Sequence, residues 1–212
     1  MKDSTRKIYD ELFERYPRLS VVAEDVMQAF EVLRDCYEHG GKLLIGGNGG
    51  SSSDSEHIVG EVLKSFKKCR AIDEKVKENL LQSGEDGQYL VSKLEGVLPA
   101  VSLISQTGIL TAFSNDKSWD TALAQQTYGL GDTGDCLLVM STSGNSRNCL
   151  LAVEVAKAKG MYALAFTGER ESLLSKACDV TVRVPETETY KVQEFHLPVY
   201  HCLCAMLEEE FF

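Results

Sequence analysis

With 212 residues, 43% of them hydrophobic and 25% charged, the chain has ordinary globular composition and the length for one domain with a full core. The formal net charge of −10 excludes a protein whose main task is gripping nucleic acid, but not one that holds an anionic small molecule through local donors. No apolar run approaches the ~20 residues needed to cross a bilayer, and Met1 to Lys7 lacks the apolar core of a signal peptide. Seven cysteines without framework spacing, several in apolar surroundings as at Cys136 and Cys178, read as buried free thiols in a reducing cytoplasm. The Cys202-x-Cys204 spacing alone is a weak metal signal.

The first forty residues read as helix, because Leu12, Phe13, Val21, Val22, Val26, Met27, Phe30 and Leu33 recur at helical spacing. Pro17 separates a first helix from a longer second one, which Gly40-Gly41 closes. Lys42 to Gly46 then reads as a buried strand, and Gly47-Asn48-Gly49-Gly50-Ser51-Ser52-Ser53 as a loop leading into a helix from Asp54 to Phe66. Further strands are expected at Leu98 to Ile104, Leu137 to Ser141, Tyr162 to Thr167 and Val180 to Val184. Helices are expected at Ser146 to Gly160, Glu171 to Cys178 and Gln193 to Glu210. Continuous apolar runs alternating with helices indicate parallel strands covered on both faces, an α/β architecture.

Two loops carry the chemistry. After the first strand the chain breaks into glycines and hydroxyls before a helix, and Ser141-Thr142-Ser143-Gly144-Asn145-Ser146 repeats the arrangement after Leu137-Leu138-Val139-Met140. Glycine allows a close backbone approach, and the helix start that follows has unpaired N–H groups and partial positive charge. Two such loops at the carboxyl ends of parallel strands point to a phosphorylated small molecule. His57 and Glu61 are four apart on the helix leaving the first loop and share a face, placed for a general base or a metal ligand or as a solvated polar face. Near the C-terminus stand Gln193, Glu194, His196 and His201. Gln193 and His201 lie roughly 80° out of line on a regular helix. A bend at Pro198 would let them approach one site, where N and O donors suit zinc or a similar divalent ion.

Together, Gly47-Asn48-Gly49-Gly50-Ser51, His57-x-x-x-Glu61, Ser114-Asn115-Asp116, the second serine loop, and Gln193-Glu194-x-His196 with His201 resemble the bacterial phosphoheptose isomerases. These are proteins of the sugar-isomerase (SIS) domain family, and the resemblance covers nearly the whole chain. It implies a single SIS domain over 1–212, a three-layer fold with a five-stranded parallel sheet flanked by helices and N-terminal helices over 1–40. It also implies a homotetramer with active sites at subunit interfaces. By resemblance, Asn48, Gly49, Gly50 and Ser51 contact substrate, Asn115 and Asp116 contact sugar hydroxyls, and Ser141, Thr142, Ser143 and Ser146 cradle phosphate. His57, Glu61, Gln193 and His201 correspond to zinc ligands, Gln193 also to a substrate contact, and Glu61 with His201 to the acid–base pair. The implied reaction is isomerisation of sedoheptulose 7-phosphate through an enediol; the competing readings are a replication-initiator-associating binding protein and an isomerase for another sugar phosphate.

Three departures accompany the resemblance. Tyr190 stands where the family often has an aspartate, with Glu188 as the nearby acid; Pro198 falls inside the last helix; and the segment of about 67–96 is longer than the family pattern, Ile72, Val76 and Leu80 giving an additional helix there.

Overall fold

The computed structural model describes residues 1–212. The chain begins with α1 (Asp3–Arg15), a 3₁₀ turn opened by Pro17, and α2 (Ala23–Glu38). Strand β1 (Leu43–Gly47) leads through the first glycine loop into α3 (Gly50–Leu63). The long segment forms two short helices, α4 (Glu74–Leu81) and α5 (Gly84–Val91), rather than the single one expected, and Ile72 lies outside both. Next come β2 (Ala100–Ser102), α6 (Thr107–Asp116), α7 (Ala122–Leu130), β3 (Cys136–Met140) and α8 (Arg147–Ala158). The chain closes with β4 (Tyr162–Gly168), α9 (Leu173–Ala177), β5 (Val180–Val184) and α10 (Thr189–Phe211).

All five strands are parallel, in the order β2-β1-β3-β4-β5. Alternation along each strand explains the continuous apolar runs. Leu43, Ile45, Leu138, Met140, Leu164 and Phe166 face one core with α1, α2, α3 and α10, while Leu44, Leu137, Val139, Ala163 and Ala165 face a second with α6 to α9. Side chains of successive strand residues point to opposite faces, so a sheet covered on both sides needs apolar residues at every position. The expected three-layer architecture is the one observed. No helix is long and apolar enough to cross a membrane.

The strand order places the helices leaving β1 and β3 around neighbouring strand ends, paired Gly46 with Val139 and Gly47 with Met140. Both glycine and serine loops therefore open at the carboxyl end of the sheet, in the crevice where open parallel sheets bind ligands.

Helix α10 runs on through Pro198. An interior proline costs ~3 kcal/mol through the lost hydrogen bond and the ring's clash with the preceding turn. Val199, Tyr200, Leu203, Met206 and Leu207 of the same helix are buried, and each fully buried side chain of this kind contributes roughly 1.5–3 kcal/mol. Packing outweighs the proline. The helix thus does not break between Gln193 and His201, and their side chains enter different neighbourhoods.

Candidate active site

The first loop turns at Gly49, whose φ of +56° and ψ of −123° lie where a side chain would be strained. Ser51 N–H then donates to Asn48 O at 3.1 Å and Ser52 N–H to Gly49 O at 3.1 Å, starting α3 earlier than the Asp54 expected from the sequence. In the second loop Gly144 N–H donates to Ser141 O at 2.9 Å, and the Ser141 and Ser146 hydroxyls lie 2.8 Å apart. The two loops are tied by a reciprocal amide pair. Asn48 Nδ2 donates to Asn148 Oδ1 at 2.9 Å, and Asn148 Nδ2 returns a bond to Asn48 Oδ1 at 2.8 Å.

Between the loops lies a cavity of about 260 Å³. Asn48, Gly49, Gly50, Ser51, Ser141, Thr142, Ser146 and Gln193 line it, as does Thr189, which sequence reasoning missed. Gly50 opens α3, Ser146 precedes α8 and Thr189 opens α10, so three helix N-termini border one cavity. Each carries unpaired N–H groups and about half a positive charge. No charged side chain lines the cavity. It is built to hold an anion with amides, hydroxyls and helix ends. Ser143 instead lines an adjoining polar cavity of about 190 Å³ with Thr142, Arg170 and Glu186. Asn115 and Asp116 occupy the exposed last turn of α6, hydrogen-bonded to each other at 3.0 Å, and are not among the residues lining the anion cavity.

Helices α3 and α10 pack side by side. At their start the Gln193 amide lies over Gly50, where an added Cβ would come within 2.5 Å of Nε2. His57 follows seven residues later on α3, ~10.5 Å along the axis at 1.5 Å per residue. There His57 Nε2 faces Glu61 Oε1 at 3.2 Å and His201 Nε2 at 3.4 Å. His57, Glu61 and His201 are brought together, then, and Gln193 stays with the anion cavity. Burial, followed by the neighbouring His57, lowers the His201 pKa from its ordinary value. His201 also opens onto a cavity of about 280 Å³ between α1 and α10, beside Arg15, Phe66 and Lys67.

The donor types bear on the expected zinc. Two imidazole nitrogens and a carboxylate are the His₂Glu set of catalytic zinc sites, which leave one position open for substrate or water. Bonds of 2.0–2.1 Å in a tetrahedron separate ligand atoms by ~3.3 Å, close to the 3.2 and 3.4 Å separations here. As the chain stands, no group of three or more His, Cys, Asp or Glu side chains is converged on one point. The donor types suit the ion and two of the separations match it, while Gln193 lines the neighbouring anion cavity.

Several further residues shape this place. The Tyr200 hydroxyl, in a side chain 1% exposed, lies 3.0 Å from His57 Nδ1 and 3.3 Å from Asp54 Oδ1. Asp54 shares a helix face with His57 three residues on, a signal present in the sequence. Tyr200 carries none, since neighbouring residues on a helix point about 100° apart. Below the cluster, Glu208 accepts N–H bonds from Phe66, Lys67 and Lys68 at 2.8, 2.7 and 3.1 Å and from Arg70 Nε at 2.8 Å. Arg70 in turn donates to Val62 O at 2.7 Å and Glu61 O at 2.9 Å, satisfying carbonyls at the C-terminus of α3. Burial raises the Glu208 pKa, but the backbone N–H donors and Arg70 outweigh it and hold the carboxyl below its ordinary value. His196 turns inward, fully buried, with Nε2 3.3 Å from Thr167 O, away from the cluster. Tyr190 is exposed, and Glu188 pairs with Lys191.

A family model for the SIS domain matches residues 89–168. The phosphoheptose isomerase of Rhodospirillum rubrum is 32% identical over 99% of this chain and 98% of its own length. That of Thermodesulfovibrio yellowstonii is 33% identical over 100% and 94%. Among solved structures, a phosphoheptose isomerase from Francisella tularensis superposes with a TM-score of 0.74 at 29% identity, covering 98% of this chain and 100% of the other. With that identity and coverage over a site of this composition, the chain belongs to the phosphoheptose isomerase family of SIS-domain proteins.

Proposed function

We propose that the chain is an aldose–ketose isomerase that converts sedoheptulose 7-phosphate to D-glycero-D-manno-heptose 7-phosphate through an enediol. One observation carries the reading: a cluster able to move protons, His57, Glu61 and His201, lies two helical turns along α3 from a cavity lined by three helix N-termini. A sugar phosphate with its carbonyl and its phosphate at opposite ends of the carbon chain matches such a division. Phosphate held far from the reacting carbons orients them, so remote binding lowers the barrier.

In this mechanism Ser141, Thr142 and Ser146 hold the phosphate together with backbone N–H groups, Ser143 facing the adjoining cavity, and Asn48, Gly49, Gly50, Ser51 and Gln193 hold the adjoining chain. Glu61 removes the proton from C1 of the ketose while His201 supplies one to the C2 oxygen, giving the 1,2-enediol. His201 then takes the proton from the C1 oxygen, and Glu61 returns one to C2, which leaves the aldose. Zinc bound by His57, Glu61 and His201 would polarise the carbonyl. The two Glu61 oxygens face different partners, Oε1 towards His57 and Oε2 towards Lys64 at 3.4 Å, which supports giving ligation and proton transfer to different oxygens. The protein works in the cytoplasm as a homotetramer with sites at subunit boundaries. The exposure of Asn115 and Asp116, outside their own chain's anion cavity, supports their serving a neighbouring copy's sugar hydroxyls.

The test is proton exchange at C1 and C2 of sedoheptulose 7-phosphate, followed by NMR with and without chelator and with zinc restored. Glu61→Gln is expected to lose roughly 10²–10⁴-fold in turnover, the range of a general base, while retaining fold and sugar-phosphate binding. Most of the turnover surviving in that variant would remove Glu61 from the mechanism. Full turnover after complete metal removal would discard zinc as essential.

A further inference from the structure

Tyr200 is among the largest fully buried side chains of the chain, yet its hydroxyl reaches two groups of α3: Asp54 Oδ1 at 3.3 Å and His57 Nδ1 at 3.0 Å. The His57 and Tyr200 rings meet edge to face, 5.4 Å between centroids at 73°. A phenol has one proton to donate, and a carboxylate can only accept. The Tyr200 proton is therefore directed to Asp54, and the lone pair left on its oxygen faces His57 Nδ1. That contact is a hydrogen bond only if Nδ1 carries the imidazole proton. In the neutral ring the other nitrogen, Nε2, is then bare. Nε2 is the atom that faces Glu61 Oε1 and His201 Nε2.

We infer that Tyr200 is a positioning residue, which relays Asp54 to His57 and fixes the imidazole in the tautomer that presents an unprotonated Nε2 to Glu61 and His201. The purpose of that lone pair, to hold a divalent cation, rests on the isomerase reading; the order of the hydrogen bonds does not. Ligating imidazoles have their second nitrogen bonded to an orienting group in the same way, most often a carboxylate or carbonyl. Here a tyrosine stands between, because Asp54 and His57 are on one helix and the bridging oxygen comes from the facing helix α10.

The test reads the tautomer and zinc binding in the full chain, without sugar. In ¹⁵N-histidine-labelled, metal-free protein at about pH 8, where an ordinary imidazole is neutral, the His57 signal, assigned by its loss in His57→Asn, is expected to show Nδ1–H with Nε2 bare. Tyr200→Phe keeps the ring and removes only the hydroxyl. It is expected to lose that tautomer preference and to weaken zinc binding, measured by chelator competition, roughly 10–100-fold. Asp54→Ala, which removes the acceptor for the Tyr200 proton, is expected to weaken zinc in the same direction. An Nε2–H signal in the unaltered protein would overturn the inference, and so would zinc affinity in Tyr200→Phe within about twofold of the original. The unaltered protein's tautomer decides the matter alone if Tyr200→Phe does not fold. Failure of the isomerase reading would appear separately, as absent sugar turnover with tautomer and zinc binding intact.

Discussion

Replacing Glu208 by Gln removes one negative charge from a place where four donors converge. The Glu208 and Arg70 side chains are 1% and 0% exposed, against 55% and 51% for the helix-surface pair Arg6 and Asp10. Exposed pairs of the latter kind contribute about 0–1 kcal/mol. Removing one partner of a buried pair leaves the other charge uncompensated and costs about 3–5 kcal/mol. The Gln amide also turns an N–H₂ towards the backbone N–H groups of Phe66, Lys67 and Lys68, which Glu208 now satisfies. For a chain of this length each kcal/mol moves the melting temperature by roughly 2–4 °C, so Glu208→Gln is expected to melt roughly 6–20 °C lower. Calorimetry at fixed protein concentration measures this. Adding Arg70→Met removes the stranded guanidinium, and the double variant is expected to regain at least about 1 kcal/mol relative to additivity. A Glu208→Gln protein within about 1 kcal/mol of the original, or strictly additive effects, would refute the account of this buried pair.

Two further outcomes follow from the same structure. Burial pushes the His196 pKa down to about 4, against the hydrogen bond that its Nε2 gives to Thr167 O, which raises it. Between about pH 6.5 and 4 the unfolded chain therefore binds a proton that the folded chain does not, and stability falls as pH falls, by about 2 kcal/mol at pH 5. Urea midpoints at pH 5 and 7.5 measure it, and His196→Asn should show that much less acid sensitivity; an equal drop in the variant would assign the effect to other groups. In Gly50→Ala the new methyl displaces the flexible end of Gln193 rather than backbone. KM for the sugar phosphate is expected to rise roughly fivefold, one hydrogen bond of about 1 kcal/mol, with kcat and melting temperature nearly unchanged. An unaltered KM would take Gln193 out of substrate binding.

The strands were legible because the sheet is covered on both faces. Leu43 to Ile45 and Cys136 to Met140 are buried at every position, and their sequence is apolar at every position. Helices α6 and α7 carried no such sign. The only buried residue of α6 is Leu110, and α7 buries Ala122, Ala124, Gln126 and Thr127 beside a single Leu123, so neither shows an apolar stripe. The additional helix expected from Ile72, Val76 and Leu80 became two because the chain turns at Ser83 and Gly84, the latter at φ +68°. In the site, glycine and hydroxyl loops announced the anion cavity, and the i,i+4 spacing announced the pairing of His57 with Glu61. What one chain cannot announce is contact between elements remote in sequence: Tyr200 of α10 with Asp54 of α3, and Arg70 of the connection after α3 with Glu208 of α10. Along α10 the helix continues through Pro198, with Gln193 lining the anion cavity and His201 the cavity beside α1.

The amide pair joining Asn48 to Asn148 closes a loop of 100 residues, and the contacts of His57 with Tyr200 and His201 close loops of 143 and 144. Contacts so remote along the chain form slowly, after the entropy of closing the intervening loop has been met. A nascent chain halted before β3 has half an anion cradle and no proton-transfer cluster, so ligand has nothing to grip until the sheet is complete. Sugar phosphate should then act as a stabiliser of the finished fold alone, adding about 2.7 kcal/mol at a hundredfold excess over its dissociation constant.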